Sequence, residues 1–166
     1  QEVKRGNKVL ATAESNVAVD NLVERLWGKV NLVRLGHPSR VSKHLKESTL
    51  AFQVESHERY RRVRELRNKA ERLAMMRDQY KKPTPQLRRG LTNKQILKLA
   101  EKGRGARGVP AKDVREMAQW ITLNEEVQKL YKFAEKIEEE IVKEILEKLG
   151  MQVEEGRETV EGDATS

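Results

Sequence analysis

The sequence predicts a mostly helical chain, in which a partial β-α-β unit is followed by a long antiparallel helical hairpin with a basic helical tip. Three observations lead to this fold class. Two short apolar runs flank a helical stretch near the start of the chain. Two much longer stretches carry apolar residues at three- and four-residue spacing, and a basic segment rich in Pro and Gly lies between them.

The β-α-β unit is predicted within residues 1–42. Residues 8–13 (KVLATA) form a short apolar run that is typical of a buried parallel strand. Apolar residues along one face indicate a helix from Val17 to Trp27, and residues 30–35 form a second apolar run. Strands in this order are expected to be parallel, with a right-handed connection. Because two parallel strands leave their edges open, self-association through the exposed partial sheet is a further expectation.

The helical hairpin is predicted within residues 43–150. Its two long stretches carry narrow apolar stripes, which two helices of one chain bury most simply against each other. The first stripe contains Val63, Leu66, Ala70, Leu73, Met76 and Tyr80, and the second contains Val127, Leu130, Ala134, Ile137, Ile141, Ile145 and Leu149. Pro110 is expected in the first turn of the second helix, and Gly150 is expected at its end.

The segment 81–110 between the two long stretches is predicted to form the tip. It contains seven Pro or Gly residues, and Thr92 and Gln95 have the spacing of a capping box at the start of a short helix. Nine of its side chains are basic, and Glu101 is its single acid. The basic residues are Lys81, Lys82, Arg88, Arg89, Lys94, Lys98, Lys102, Arg104 and Arg107. Residues 151–166 are acidic and poor in large apolar side chains, and are predicted to be a disordered tail.

Charge is divided unevenly along the chain. Residues 1–120 contain 28 basic and 13 acidic residues, a net charge of +15, whereas residues 121–166 contain 6 and 13, a net charge of −7. A cationic body favours a polyanionic partner. A strongly solvated surface, as found in proteins of thermophiles, explains the same charge equally well.

Three absences in the sequence narrow the class of protein. The chain has no cysteine, which excludes disulfides and thiolate metal sites and fits a cytoplasmic protein. No window approaches the roughly 18 apolar residues that cross a bilayer, so no membrane partner is expected. Because the sequence does not begin with Met, we expect it to be part of a longer protein.

No catalytic site and no metal site is predicted. The sequence has no G-x-x-x-x-G-K-[ST] phosphate loop, and hence no site of its own for the phosphates of ATP. His37, His44 and His57 lack carboxylates or cysteines at metal-ligand spacing, and are expected in turns or on the surface.

The junction at residues 13–16 (AESN) lies where the first predicted strand ends and the first helix begins. Open α/β sheets bind ligands at such points, and the free N–H groups of a helix start favour a phosphate. Ser15 and Asn16 add short polar side chains there. Two interpretations remain open, because these residues also suit a purely structural role as helix caps.

Residues 12–22 (TAESNVAVDNL) and 33–40 (VRLGHPSR) resemble superfamily 1B helicases, in the group that contains the nonsense-mediated-decay helicase and the immunoglobulin-mu-binding helicase. The first stretch is similar to motif Ia of that family, which touches the nucleic-acid backbone. The second is similar to the next strand and turn. Glu14 departs from the proline that is usual at its position. The resemblance is specific over residues 7–40 and generic from 43 to 149.

The resemblance implies that residues 1–42 are part of the RecA-like core of the first motor domain, and that residues 43–150 are a helical insertion into it. Thr12, Ser15 and Asn16 are then implied to contact the nucleic-acid backbone. ATP and magnesium are implied as cofactors of the intact parent protein and not of this chain, which is expected to be inactive as an ATPase because it lacks the phosphate loop.

The expected function is therefore that of the nucleic-acid-binding portion of an ATP-dependent DNA or RNA helicase, with single-stranded nucleic acid and the rest of the motor as partners. The expected contacts in the tip are Arg88, Arg89, Lys94, Lys98, Arg104 and Arg107. The alternative is a non-enzymatic helical hairpin that serves as a protein-interaction module. The acidic, apolar-striped second helix favours it, as does the lack of aromatic side chains in the tip, since bases usually stack on such side chains.

Overall fold

The computed structural model describes residues 1–150, which are mostly helical. The chain forms two compact units. Of the described residues, the first contains Gln1–His57 and residues 140–150, and the second contains Glu58–Glu139. The tail predicted at residues 151–166 lies outside the described residues. The boundaries predicted for the motor core and the insertion follow family resemblance and not compactness, and they stay a prediction.

The first unit is built from short helical elements around a small apolar core. Val23, Val41 and Leu45 are buried there, and Val19 and Leu32 pack against them. The elements are 3-10 turns at Val3–Arg5, Pro38–Arg40 and Lys43–Ser48, helix α1 (Asn16–Leu26) and helix α2 (Leu50–Glu55). Helix α1 is the helix predicted from Val17 to Trp27, shifted by one residue.

The two strands predicted in this unit are not confirmed. Residues 8–13 have no regular secondary structure, and Val9 and Leu10 are 59% and 81% exposed. Residues 30–35 contribute one parallel bridge, between Arg34 and Thr49. A buried parallel strand needs hydrogen-bonded neighbours on both sides. Within residues 1–150, residues 8–13 have no bridge partner and residues 30–35 have this single bridge. The exposed partial sheet that was expected to mediate self-association is therefore absent from the described residues.

The second unit contains the predicted hairpin. Its helices are α3 (Tyr60–Arg77), α4 (Pro85–Arg88), α5 (Asn93–Glu101) and the part of α6 (Ala111–Lys148) that ends at Glu139. Three polar contacts run in opposite order along α6 and along α3 with the residues that follow it. Arg67 binds Glu138, Arg77 binds Asn124, and Lys81 binds Asp113. The two long helices are therefore antiparallel, as predicted.

The apolar stripes of the hairpin are buried over most of their predicted length. Val63, Leu66 and Ala70 are at most 3% exposed on α3, and Val127 and Ala134 are at most 1% exposed on α6. At the tip end the stripe stops earlier than predicted. Met76 and Tyr80 are 51% and 38% exposed there. Polar contacts from Arg77 and Lys81 take over beyond this point.

The tip is a folded element with its own core and not a set of loops. Its buried residues are Leu87 and Ile96 from the tip and Val114, Met117, Trp120 and Ile121 from the start of α6. Helix α5 begins with the predicted capping box, in which Thr92 accepts from the Gln95 amide and Gln95 accepts from the Thr92 amide. The first three turns of α6 therefore pack against the tip, which the predicted stripe did not include.

The ends of α6 follow the sequence signals closely. Pro110 directly precedes its first residue, and Gly150 adopts a positive φ of 73° two residues after its last. Its 38 residues give a length of about 57 Å at 1.5 Å per residue. Among the described residues, none of the helices combines the length and the apolar content that crossing a membrane requires.

Candidate nucleic-acid interface

The motif Ia-like segment forms the start of α1. The Ser15 hydroxyl accepts a hydrogen bond from the Ala18 amide at 3.2 Å, so Ser15 is the N-cap residue. Asn16 is the first residue of the helix and is exposed, as is Thr12. The capping role expected for Ser15 is confirmed. Because its oxygen accepts this bond, the O–H group of Ser15 keeps its own proton available for a further acceptor.

Asn16 contacts a buried ion pair that was not predicted from the sequence. Arg34 and Asp20 are 8% and 6% exposed, and the Arg34 Nε donates to Asp20 Oδ1 at 3.2 Å. A second nitrogen of the guanidinium donates to the Leu35 carbonyl. The third donates to Asn16 Oδ1 at 3.0 Å. Arg34 therefore connects the buried acid of α1 to the exposed first residue of the same helix.

Asp20 is held on its other side by Ser42. Its Oδ2 accepts from the Ser42 amide at 3.1 Å and from the Ser42 hydroxyl at 2.9 Å. Burial alone raises the pKa of the Asp20 carboxyl. The hydrogen bonds from Ser42 and the contact with Arg34 outweigh it, so this pKa lies below its ordinary value of 3.8. The carboxylate is therefore the charged partner that the Arg34 guanidinium requires.

The backbone around Arg34 is fixed as firmly as its side chain. Its amide donates to the Ser48 carbonyl at 2.8 Å, and its carbonyl accepts from the Leu50 amide at 3.3 Å. Gly36 has a φ of 119°, and a Cβ there would lie 3.2 Å from the guanidinium. A side chain at position 36 is thus disfavoured both by backbone conformation and by the close approach of Arg34.

The sequence did carry a signal for this network. Arg34 interrupts the apolar run Val33-Arg34-Leu35, and Asp20 lies one helical turn before the core residue Val23. Charged residues are almost never buried unless they are paired. Two opposite charges inside two apolar segments therefore predict each other as partners.

The basic residues of the tip lie on a second surface. Lys82, Arg88 and Arg89 line a shallow groove together with Pro83 and Pro85. All three basic side chains are exposed, whereas Pro83 is buried beneath them. The Arg88 guanidinium donates to Asn93 Oδ1 at 2.8 Å, which leaves its charge uncompensated because the amide is neutral.

Arg107 reaches the same part of the tip. Its carbonyl accepts from Gln86 at 3.0 Å, and a Cβ on Gly90 would lie 3.3 Å from its guanidinium. Arg107 itself has a φ of 54°, the only positive value for a non-glycine residue among those described. The turn that carries Arg107 is therefore packed against the loop after α4, which brings its charge toward Arg88 and Arg89.

Helix α5 adds a row of lysines. Lys94, Lys98 and Lys102 follow one another at four-residue spacing, and all three are exposed. Residues at this spacing share one face of a helix and rise by about 6 Å per step. Lys102 is the C-cap residue of α5, so the row ends with the helix.

Most of the tip charges have no acidic partner within residues 1–150. Lys81 is the exception, because it pairs with Asp113 at 3.0 Å and this contact raises its pKa above the ordinary value of 10.5. Lys82 lies 5.6 Å from the centre of the Trp120 ring. No ion pair is formed by Arg88, Arg89, Lys94, Lys98, Lys102, Arg104 or Arg107 with the residues that the structure describes.

The arginines at the start of α3 have local partners instead. Arg61 and Arg62 both pair with Glu65, at 3.2 and 3.6 Å. Arg64 lies 5.5 Å from the centre of the Tyr60 ring. The cationic surface of the second unit is therefore uneven. The charge on α3 is partly compensated, and the charge of the tip, apart from Lys81, is not.

The predicted contacts fall into two groups. Thr12, Ser15 and Asn16 belong to the first unit, and the six tip residues belong to the second. Trp120 is 9% exposed beneath Lys82, so the tip offers no open aromatic ring for stacking. Among residues 1–150, no group of three His, Asp or Glu side chains is placed to hold a metal ion.

Residues 1–151 match the family described as AAA domain. The chain belongs to this family, and its relatives support the assignment to superfamily 1B helicases that residues 12–22 and 33–40 indicated.

An uncharacterized ATP-dependent helicase of Methanocaldococcus jannaschii is 41% identical to the chain over 150 residues, which are 88% of this chain and 23% of that protein. The DNA-binding protein SMUBP-2 of Rattus norvegicus is 53% identical over 51 residues, which are 30% of this chain and 5% of that protein. The chain thus spans less than a quarter of the length of these relatives. No solved structure matches the chain.

Proposed function

We propose that the chain is the nucleic-acid-binding portion of an ATP-dependent helicase and that it holds single-stranded DNA or RNA by the phosphate backbone. The observation that carries this proposal is the unpaired positive charge of the tip, on a folded scaffold, in a chain of a helicase family. Arginine and lysine contacts to phosphate supply most of the affinity of sequence-independent binding.

The chemistry of the tip favours phosphates over bases. Its exposed groups are guanidinium and ammonium donors, and its nearest indole, Trp120, is buried. Arginine forks match the oxygen geometry of phosphate, and a row of lysines on α5 provides point charges beside them. Such a surface distinguishes neither base sequence nor, without contacts to the 2′-hydroxyl, DNA from RNA.

The start of α1 is the second proposed contact. Ser15 and Asn16 present a hydroxyl and an amide at the end of a helix whose dipole favours a phosphate. Helix ends and short polar side chains are among the common donors to nucleic-acid phosphates. Thr12, three residues before the cap, is exposed on the approach to this end.

The remaining motor functions are assigned to the whole protein. The relatives are at least four times longer than the matched segment, and the M. jannaschii protein is named an ATP-dependent helicase. ATP and magnesium are assigned to the whole protein, because the sequence of this chain has no phosphate loop. We propose that residues 8–13 and 30–35 pair as strands with other segments of the RecA-like core in the whole protein, which would cover Val9 and Leu10.

Fluorescence anisotropy with a labelled oligonucleotide tests the proposal. If four to six phosphates are contacted, the logarithm of the association constant falls against the logarithm of the salt concentration with a slope of about −3 to −4. Oligothymidylate and a mixed-sequence oligonucleotide are expected to bind equally well. An affinity that does not change between about 50 and about 200 mM salt contradicts phosphate-driven binding.

One set of side chains favours the alternative function as a protein-interaction arm. Tyr131 and Phe133 on α6 are 37% and 48% exposed, and Met75 on α3 is 73% exposed. Exposed aromatic and Met side chains are enriched at protein interfaces. Salt-independent behaviour in the anisotropy experiment, together with loss of a protein partner on changing Phe133 to Ser, would favour this function over strand binding.

A further inference from the structure

We propose that Arg34 is a positioning residue for nucleic-acid binding, which fixes the Asn16 carboxamide so that its NH₂ group faces the strand. This inference rests on the proposed function, because it concerns how one of the proposed contacts is oriented. It assigns a role in binding to the buried pair of Arg34 and Asp20, which does not itself reach the surface.

The orientation follows from the donor chemistry of arginine. A guanidinium has five N–H donors and no acceptor. The guanidinium nitrogen that lies 3.0 Å from Asn16 Oδ1 can only donate, so the amide oxygen of Asn16 must face it. The NH₂ group of Asn16 must then lie on the opposite side of the carboxamide. An amide that was free to turn would present either its oxygen or its nitrogen to a ligand, and the oxygen repels a phosphate.

Arg34 is itself held in place, which is what makes the orientation rigid. Asp20 binds its Nε at 3.2 Å, and Ser42 holds Asp20 from the other side with two hydrogen bonds. The Leu35 carbonyl accepts from another guanidinium nitrogen. A lysine at position 34 would keep a positive charge near Asp20, but its single nitrogen would lack the fork that reaches Asn16 and Asp20 together.

The result is a start of α1 that offers donors only. The Ser15 O–H keeps a free proton after accepting from the Ala18 amide, and the Asn16 NH₂ faces away from Arg34. The Arg34 charge is balanced by the Asp20 carboxylate, so its contribution is geometric and not a further phosphate contact. The interaction thus resembles the outer-shell hydrogen bonds that orient ligand-binding side chains elsewhere.

The test is a double-mutant cycle on the full chain, with binding of a labelled oligothymidylate measured by anisotropy. Asn16→Ala is expected to weaken binding by about twofold to thirteenfold, the range of one net hydrogen bond. Arg34→Lys is expected to weaken it as much, and the double variant no more than either single one. The slope against salt should stay that of the unchanged chain in all three, because no phosphate-neutralising charge is lost.

Arg67→Lys is the matched control. Arg67 also holds an acid and a second oxygen, Glu138 and the Tyr60 hydroxyl, but it belongs to the hairpin and is not one of the proposed contacts. Its replacement is expected to leave the affinity unchanged. The Asn16 side-chain NH₂ signals in a ¹⁵N-labelled chain give a second readout, since oligothymidylate should shift them in the unchanged chain and not in Arg34→Lys.

The possible results distinguish failure of the positioning role of Arg34 from failure of the proposed function. Additive losses in the double variant, or a loss in Arg34→Lys without one in Asn16→Ala, overturn the positioning role and leave strand binding intact. If the unchanged chain does not bind the oligonucleotide at any salt concentration, the proposed function fails and the inference fails with it. Equal, non-additive losses at constant salt slope support both.

Discussion

The unequal compensation of charge makes a direct comparison possible between two sets of four arginines. Changing Arg88, Arg89, Arg104 and Arg107 to Gln removes four positive charges from the tip. Changing Arg59, Arg61, Arg62 and Arg64 to Gln removes four from the start of the hairpin, so the overall field falls equally in both variants. The tip set is expected to matter more, because it forms no ion pair among residues 1–150.

The expected size of the effect follows from counterion release. For single strands, each neutralised phosphate contributes about 0.7 to the slope of the logarithm of the association constant against the logarithm of the salt concentration. At about 0.1 M salt this corresponds to about 0.7 of a decade in the association constant. Loss of two engaged arginines therefore weakens binding about 25-fold and flattens the slope by about 1.4, and loss of four weakens it about 600-fold. The hairpin variant is expected to lose no more than about threefold, since exposed charges act at a distance through a screened field.

Anisotropy titrations at several salt concentrations measure both quantities, and circular dichroism should show unchanged helical content. Helix content is a fair control because all eight positions are exposed or lie off the buried stripe. An equal loss in the two variants would mean that the cationic surface acts as a diffuse field and that the tip has no special role. No loss in either variant would make the charge a solubility feature and favour the interaction-arm function.

Three further predictions concern activity, tip stability and acid stability. The chain alone is expected to release no phosphate from ATP, with or without single-stranded nucleic acid, because its sequence has no phosphate loop; turnover that follows the chain through gel filtration would contradict this. Leu87→Ala is expected to lower the free energy of unfolding by about 2 to 5 kcal/mol, measured by chemical denaturation. Leu10→Ala, at an 81% exposed position, should change it by less than about 0.5 kcal/mol. Equal effects of the two substitutions would contradict the separate tip core. The pKa of Asp20 in the folded chain is lowered, so the stabilising effect of its carboxylate is complete above the ordinary pKa of 3.8 and is lost as pH falls through the lower folded pKa. Thermal unfolding of Asp20→Asn should therefore depend less on pH between about 5 and about 2 than that of the unchanged chain.

The helical parts of the fold were predictable because their causes are local. The capping box at Thr92 and the Gly at position 150 act within a few residues, and the apolar stripes repeat along the sequence. Local periodicity therefore predicted the antiparallel hairpin. The tip core was missed because Leu87 and Ile96 lie in segments too short for a repeating stripe, and their partners lie on a helix about 20 to 30 positions later.

The strands were not predictable from the same signals. An apolar run of six residues has the pattern of a buried strand, but the strand exists only when neighbours bind its N–H and C=O groups. Residues 8–13 have no such neighbours within the described part of the chain. The apolar runs and the resemblance to a motor domain both predicted strands that residues 1–150 do not confirm, because a sheet depends on segments far away in sequence.

The candidate site was predictable in part. Family resemblance singled out Ser15 and Asn16, and the structure confirms Ser15 as a cap while its role in binding stays a prediction. The resemblance did not single out Asp20 or Arg34 as functional, although both lie inside the matching stretches. Buried pairs join residues 14 positions apart through tertiary packing, which neither periodicity nor motif spacing expresses.

Photo-crosslinking of a thymidine-analogue oligonucleotide to the full chain, followed by mass spectrometry of the crosslinked peptides, tests whether the strand binds to the tip and the start of α1. A strand held by the proposed surfaces should crosslink to the peptides around residues 12–16 and to those from 82 to 107, and salt should suppress both sets together. Crosslinks confined to residues 59–77, or spread evenly over all exposed peptides, would contradict the assignment of strand binding to the tip and the start of α1.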